Sequence, residues 1–232
     1  MVIRVKSRWV AGMFIGLLVC ICGVALHGVF REEKQEVSRQ QVSAKAAAAG
    51  EVALTFDDGP HPAYTEALLD GLKERNVSAT FFVLGEHAEL YPELIRRMRE
   101  EGHLIGNHTY SHLQLEDGNW EVYRQELTRT NELICEITGT EPCFVRPPYG
   151  SWDRSFEQEL NMFPVLWTVD SRDWCSRDAS DVVSKVVEET KEGDIILMHD
   201  YYASTVDAAL QVVDRLLELG YRFVTVEELL FD

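Results

Sequence analysis

The segment EVALTFDDGPHP, Glu51 to Pro62, climbs through an apolar run to two adjacent carboxylates and then turns at Gly-Pro. Val52, Leu54 and Phe56 alternate with Ala53 and Thr55, the period of a short buried strand. Asp57 and Asp58 end it side by side, where mutual repulsion and loss of water both oppose ionisation. Asp before Gly-Pro is also ordinary turn chemistry, so the segment by itself leaves a plain turn and a functional pair both open.

Outward from this strand, short apolar runs alternate with amphipathic stretches. Strands are expected at Val52–Phe56, Ala79–Leu84, Leu104–Asn107, Cys143–Arg146, Val165–Val169, Ile195–His199 and Phe223–Val226. Helical spacing fills the intervals: PAYTEALLDGLKERN, YPELIRRMREEG, WEVYRQELTRTNELICEITG, SDVVSKVVEETKEG and TVDAALQVVDRLLELG, the last four each closing on glycine. Such alternation predicts a parallel α/β sheet, and its regularity favours a barrel over an open sheet. In such folds functional residues gather where strands end. The strand ends here carry Asp57 and Asp58, Asn107 and His108, Arg146, Asp170 and Asp173, and His199 and Asp200.

His108 and His112 stand four apart, so on a helical turn both imidazoles would face one way. Two imidazoles and one carboxylate make a three-ligand metal site with room for water, and the Asp57–Asp58 pair is the evident carboxylate source. Successive residues of an extended chain point to opposite sides. One aspartate can therefore hold the metal while the other sits beside the water it activates, and a cation removes the repulsion between them.

TFDDGP, HTYSH, RPPYG, DSRDW and LMH, in this order, resemble the motifs of the NodB-homology polysaccharide deacetylases, carbohydrate esterase family four, over about residues 50–230. The resemblance implies a distorted (β/α)7 barrel. It implies that Asp58, His108 and His112 bind one divalent metal, zinc or cobalt, and that Asp57 is the general base. Arg146 would pair with Asp57 and hold it charged and oriented, and the backbone N–H of Tyr149 would meet the oxyanion. His199 would be the general acid, supported by Asp173, and Trp174 and Leu197 would wall the acetyl pocket. Among the remaining residues, His61 and His103 read as structural or rim residues, His87 as surface, Asp170 as a turn former and Asp200 as a surface or substrate contact. Trp152 and Trp167 read as core, while Tyr201 and Tyr202 are candidates for stacking on a sugar.

The N-terminus reads differently. Arg4, Lys6 and Arg8 precede an uncharged stretch from Trp9 to Phe30, longer than the roughly 20 residues that cross a bilayer. We expect residues 1–30 to form a cytoplasmic basic tip and a transmembrane signal-anchor, 31–49 a polar, Ala-rich tether, and 50–232 the exported deacetylase domain; secretion after cleavage is the alternative. The exported part holds 36 acidic against 15 basic residues, a formal charge of −21, which argues against nucleic acid as a partner. Cys135 and Cys143 are close enough in sequence for a short disulfide loop; without a CxxC pair, a thiolate metal site is not expected. The expected function is metal-dependent N-deacetylation of a β-linked amino-sugar polymer outside the membrane, first of all N-acetylglucosamine in peptidoglycan. O-deacetylation of a xylan-type polymer and a non-catalytic wall-binding module are the alternatives.

Overall fold

The computed structural model describes residues 49–153, 160–176 and 178–231. All of them belong to one compact unit, Ala46–Asp232. The expected span over Trp9–Phe30, and all of the tether except Ala49, lie outside the described residues; among these, no helix is long and apolar enough to cross a membrane.

The strands are β1 (Glu51–Asp57), β2 (Thr80–Val83), β3 (Leu104–Asn107), β4 (Phe144–Val145), β5 (Phe163–Pro164), β6 (Val169–Asp170), β7 (Ile195–His199) and β8 (Arg222–Val224). The helices are α1 (Tyr64–Glu74), α2 (Gly85–Leu90), α3 (Pro92–Glu100), α4 (Trp120–Thr138), α5 (Ala179–Glu189), α6 (Ala203–Leu219) and α7 (Val226–Phe231). The sheet runs β5-β4-β3-β2-β1-β7-β6 with every pairing parallel. β1 gives one flank to β7 and divides the other between β8, opposite Glu51–Ala53, and β2, opposite Thr55–Asp57.

The two edge strands are consecutive in sequence. Only Val165–Thr168 separate β5 from β6, so the edges lie no more than about 18 Å apart and the sheet must curl. The result is a parallel half-barrel, eight-stranded rather than seven-stranded, with no strand ladder across the β5/β6 seam among the described residues. The single strand expected over Val165–Val169 is this connection. Its carbonyls at Val165 and Leu166 accept hydrogen bonds from the Arg146 side chain, at 3.1 and 3.2 Å, in place of a neighbouring strand. Sequence periodicity also missed the short α2, and it extended the last strand into Val226, where α7 begins.

Period two decides which β1 side chains enter the barrel. Val52, Leu54 and Phe56 pack outward into the main core with Leu68, Leu69 and Leu72 of α1 and Val212, Val213 and Leu216 of α6. Ala53 faces inward among Phe82, Phe144, Val165 and Ile195. Thr55 and Asp57 share that inner face, and both meet Arg146 there. α4 and α6 stop at Gly139 and Gly220 in left-handed conformation, as expected. α5 ends at Thr190, short of Gly193, which instead turns the chain into β7. Cys135, Cys143 and Cys175 are free thiols.

His103 is structural, as expected. Its Nδ1 accepts the Ala79 N–H at 3.0 Å and its ring stands edge-on to Phe81. Burial pushes its pKa down to about 4, aided by Arg97 and opposed by Glu101. Below the unfolded value of 6.5 the unfolded chain binds the proton and the folded chain refuses it. Stability is therefore expected to fall by up to about 3 kcal/mol as pH drops from 6.5 towards 4. His103→Asn keeps an acceptor for Ala79 without the titration. Denaturant unfolding at pH 7 and pH 5 should show a smaller pH difference for the variant than for the parent chain.

Candidate active site

The site lies at the C-terminal rim of the sheet, where β1, β3, β4, β6 and β7 end. Asp57 is the last residue of β1 and points into the barrel. Asp58, with φ at 72°, leaves the strand in a left-handed turn and sends its carboxylate elsewhere. The chain then passes through Gly59-Pro60, a cis peptide.

Asp58, His108 and His112 offer three ligand atoms that lie within 4.8 Å of one another. Asp58 Oδ1 stands 3.4 Å from His108 Nε2 and 3.5 Å from His112 Nε2. The histidine pair is not on a helical turn as expected. It sits on an irregular loop after β3, with Thr109 and His112 both at positive φ. Buried Asn107 organises this loop: its Oδ1 accepts the Thr109 N–H at 2.7 Å, and its Nδ2 donates to Leu127 and Asn131 of α4. Glu126 of α4 accepts the N–H groups of Tyr110 and Ser111.

These donors suit a metal. His108 Nδ1 donates to the Arg146 carbonyl at 2.6 Å, which fixes the tautomer and leaves the Nε2 lone pair facing Asp58. Asp58 Oδ1 is buried without a hydrogen bond, a costly state that a cation would relieve. Burial works to raise the Asp58 pKa. The neighbouring His108, helped by His199 and His112, outweighs it and brings the pKa down to about 2. Burial lowers the His112 pKa, His108 adding to the effect and Asp58 opposing it. A neutral imidazole is the form that binds metal.

Asp57 takes a different partner. Arg146 Nη1 donates to its Oδ1 at 2.9 Å and to Thr55 Oγ1 at 2.6 Å, while Thr55 donates to the Ile196 carbonyl. The guanidinium is fully buried and also lies 4.2 Å from the Phe82 ring centroid. On β7, where His199 stands in register with Asp57, Asp173 receives both the Nδ1–H and the backbone N–H of His199, each at 2.8 Å. Burial pulls the His199 pKa down; the Asp173 hydrogen bond and charge, with Asp57 and Asp58, overcome it and carry the pKa up to about 9.

Leu197, Trp174 and Tyr149 line the pocket with these groups, a cavity of about 400 Å³. Tyr149, at φ 59°, is mostly exposed and sets its ring edge-on to His112, 4.8 Å between centroids. All ten site residues singled out in the sequence therefore converge on one rim. Three secondary readings need correction, and a fourth holds but is incomplete. His87 is half-buried, its Nδ1 donating to the Asp58 carbonyl at 2.8 Å. Asp200 is wholly buried. Trp167 lines the pocket. Asp170, besides accepting the Arg172 N–H as a turn former, lines the pocket too. Thr55 and Glu126 were missed because their partners are distant in sequence, although the i, i+2 relation of Thr55 to Asp57 was visible in β1.

A curled parallel sheet with an Asp/His/His cluster at its C-terminal rim defines an α/β protein with a candidate metal centre. The chain belongs to the polysaccharide deacetylase family, whose model matches residues 44–165. It is 42% identical over 183 residues to a peptidoglycan-N-acetylglucosamine deacetylase of Bacillus cereus, covering 76% of this chain and 66% of that one. It is 40% identical over 178 residues to the peptidoglycan-N-acetylmuramic acid deacetylase PdaC of Bacillus subtilis, covering 77% of this chain and 38% of that protein. The solved structure of PdaC superposes with a TM-score of 0.76 at 40% identity, covering 78% of this chain and 90% of that chain. A family 4 acetyl xylan esterase from Clostridium thermocellum, solved with a cobalt ion, superposes at 0.72 with 35% identity, covering 77% and 89%. The chain thus spans about two-fifths to two-thirds of the length of these curated relatives.

Arg146→Met is expected to cost about 3–5 kcal/mol, because it strands the buried Asp57 and frees the seam carbonyls. Arg146→Lys should recover only part of this, since an ammonium lacks the planar fork that reaches several acceptors. Denaturant unfolding of both variants measures the difference.

Proposed function

We propose that the chain is a metal-dependent deacetylase acting on the N-acetyl groups of peptidoglycan, N-acetylglucosamine first among its sugars. The observation that carries this reading is that the Asp58/His108/His112 cluster shares one pocket with two separately braced groups, Asp57 on Arg146 and His199 on Asp173. The names of the two Bacillus relatives support a peptidoglycan substrate, although they differ in the sugar. The acetyl xylan esterase likeness favours O-deacetylation as the second reading.

Asp58, His108 and His112 would hold the ion, which we assign as zinc, with cobalt an acceptable substitute. Once bound, it would acidify water and polarise the acetyl carbonyl. Asp57, outside the ligand set and held by Arg146, takes a proton from the attacking water. The Tyr149 N–H steadies the oxygen that gains charge as the carbonyl is attacked. His199 delivers its Nε2 proton to the nitrogen as the C–N bond breaks, so acetate and an amine leave. Leu197 and Trp174 enclose the acetyl methyl.

We propose further that residues 9–30 anchor the chain in a membrane with the domain outside, where wall polymer is met. The basic residues before that stretch and its length support this placement.

The purified chain should contain about one equivalent of divalent metal by elemental analysis and release acetate from N-acetylated oligomers faster than from acetylated xylan. The opposite preference would favour the second reading. Chelation should abolish release. Asp57→Asn should keep the metal while turnover falls at least about a hundredfold, as expected for a lost general base; Asp58→Asn should lose the metal itself.

The pH profile tests the acid. His199 works while protonated, so the rate should fall as pH rises through its pKa. Asp173→Asn removes the main group that raises this pKa. The basic limb of kcat/KM should move down by at least about one pH unit; an unmoved limb would remove His199 from the role.

A further inference from the structure

We infer that Tyr201, Tyr202, His61 and His87 form an aromatic ledge at the mouth of the site that binds a sugar ring adjoining the one being deacetylated. This rests on the proposed polymer substrate and adds a second contact to it.

The rings form a continuous set. His61 stacks on Tyr64 at 4.2 Å between centroids, and Tyr201 stands edge-on to His61 at 5.4 Å and stacks with His87 at 6.0 Å. Tyr202 stands edge-on to Tyr201 at 5.6 Å. Tyr201 and Tyr202 are 41% and 43% exposed, so their rings remain open to a ligand. None of these rings lines the acetyl pocket, yet the ledge is tied directly to it. Tyr201 lies two residues beyond His199, and His87 donates to the backbone carbonyl of Asp58. A chain whose reacting sugar sits over the pocket would therefore pass its next ring across the ledge.

The ledge is also braced. Asp200 carries no exposed surface; its Oδ2 accepts the Thr65 hydroxyl proton, and Thr65 Oγ1 accepts the His61 N–H at 2.7 Å. Gly59 closes onto this carboxylate so tightly that a Cβ there would come within 2.3 Å of it. His61 Nδ1 accepts the N–H groups of Ala63 and Tyr64, which places its proton on Nε2. The His61 ring, held this way, loses little freedom on binding. The chemistry of the ledge suits a pyranose: its C–H face packs on an aromatic face, while hydroxyl and imidazole N–H groups can bond its polar edge.

The test is calorimetric binding of N-acetylglucosamine oligomers, from the single sugar to the hexamer, to the full chain and to Tyr201→Ala, Tyr202→Ala and Tyr201→Phe. Near-UV circular dichroism monitors the fold. Each alanine variant should bind the hexamer about tenfold more weakly, with the deficit growing with oligomer length, and Tyr201→Phe should bind within about twofold of the parent. Should Tyr201→Ala misfold, Tyr202→Ala carries the comparison. Hexamer affinity unchanged in the alanine variants, or a deficit equal at every length, would overturn the ledge. Acetate release from the same oligomers separates the two proposals. Weakened binding with no acetate from the parent chain would retain the ledge and reject the reaction; acetate release with unaltered binding would do the reverse.

Discussion

A guanidinium with no exposed surface sits where the sheet fails to close. Removing such a charge from water costs several kcal/mol unless its donors are met. Arg146 meets four acceptors: Thr55 Oγ1, Asp57 Oδ1, and the carbonyls of Val165 and Leu166. Two of these lie on the central strand and two on the irregular connection between the edge strands. The side chain thus supplies hydrogen bonds that a strand ladder would otherwise provide, and the same contacts fix the Asp57 carboxylate. Only a planar, forked cation can do both. Closure of the fold and orientation of the proposed base are one interaction.

The adjacency of Asp57 and Asp58 follows from this division. Strand geometry turns Asp57 inward to Arg146, and the left-handed backbone of Asp58 turns the second carboxylate toward the two imidazoles. Asp57 has Arg146 as its source of positive potential and Asp58 would have the ion held with His108 and His112, so the pair does not have to share one. His108 joins the halves, since its Nδ1 donates to the carbonyl of Arg146 while its Nε2 faces Asp58. Movement of the β4 end would therefore reach both carboxylates together.

Much of this was legible in the sequence because it is written in strand period and strand ends. The alternation in β1 and the apolar runs of β2, β3 and β7 placed those strands within a residue or so, and the polar residues at their ends did converge. The β5/β6 region was not legible, since its apolar run Val165–Val169 reads as a strand until a distant arginine occupies its carbonyls. The loop carrying His108 and His112 failed similarly: i, i+4 spacing suggests a helix, whereas buried Asn107 holds Thr109 in a left-handed turn. Asp200 looked like a surface residue because nothing local reports that Gly59 and Thr65 close over it. In each case the deciding partner lies far along the chain.

Backbone strain follows the same boundary. Six described non-glycine residues have positive φ, and five of them, Asp58, Thr109, His112, Tyr149 and Arg172, lie in the loops around the site. Such conformations cost on the order of 1–3 kcal/mol for residues that disfavour them, and they persist only where the surroundings over-determine them. β-Branched Thr109 shows how this is done: its N–H is held by Asn107, and its hydroxyl oxygen accepts from Leu113. Glu126 reaches from α4 to hold the next two N–H groups. The long α4 is therefore more than packing for the sheet, because it anchors the loop that brings His112 to Asp58. A site whose ligand spacing depends on strained turns needs a fixed helix behind it, and α4 supplies one through Leu127, Asn131 and Glu126.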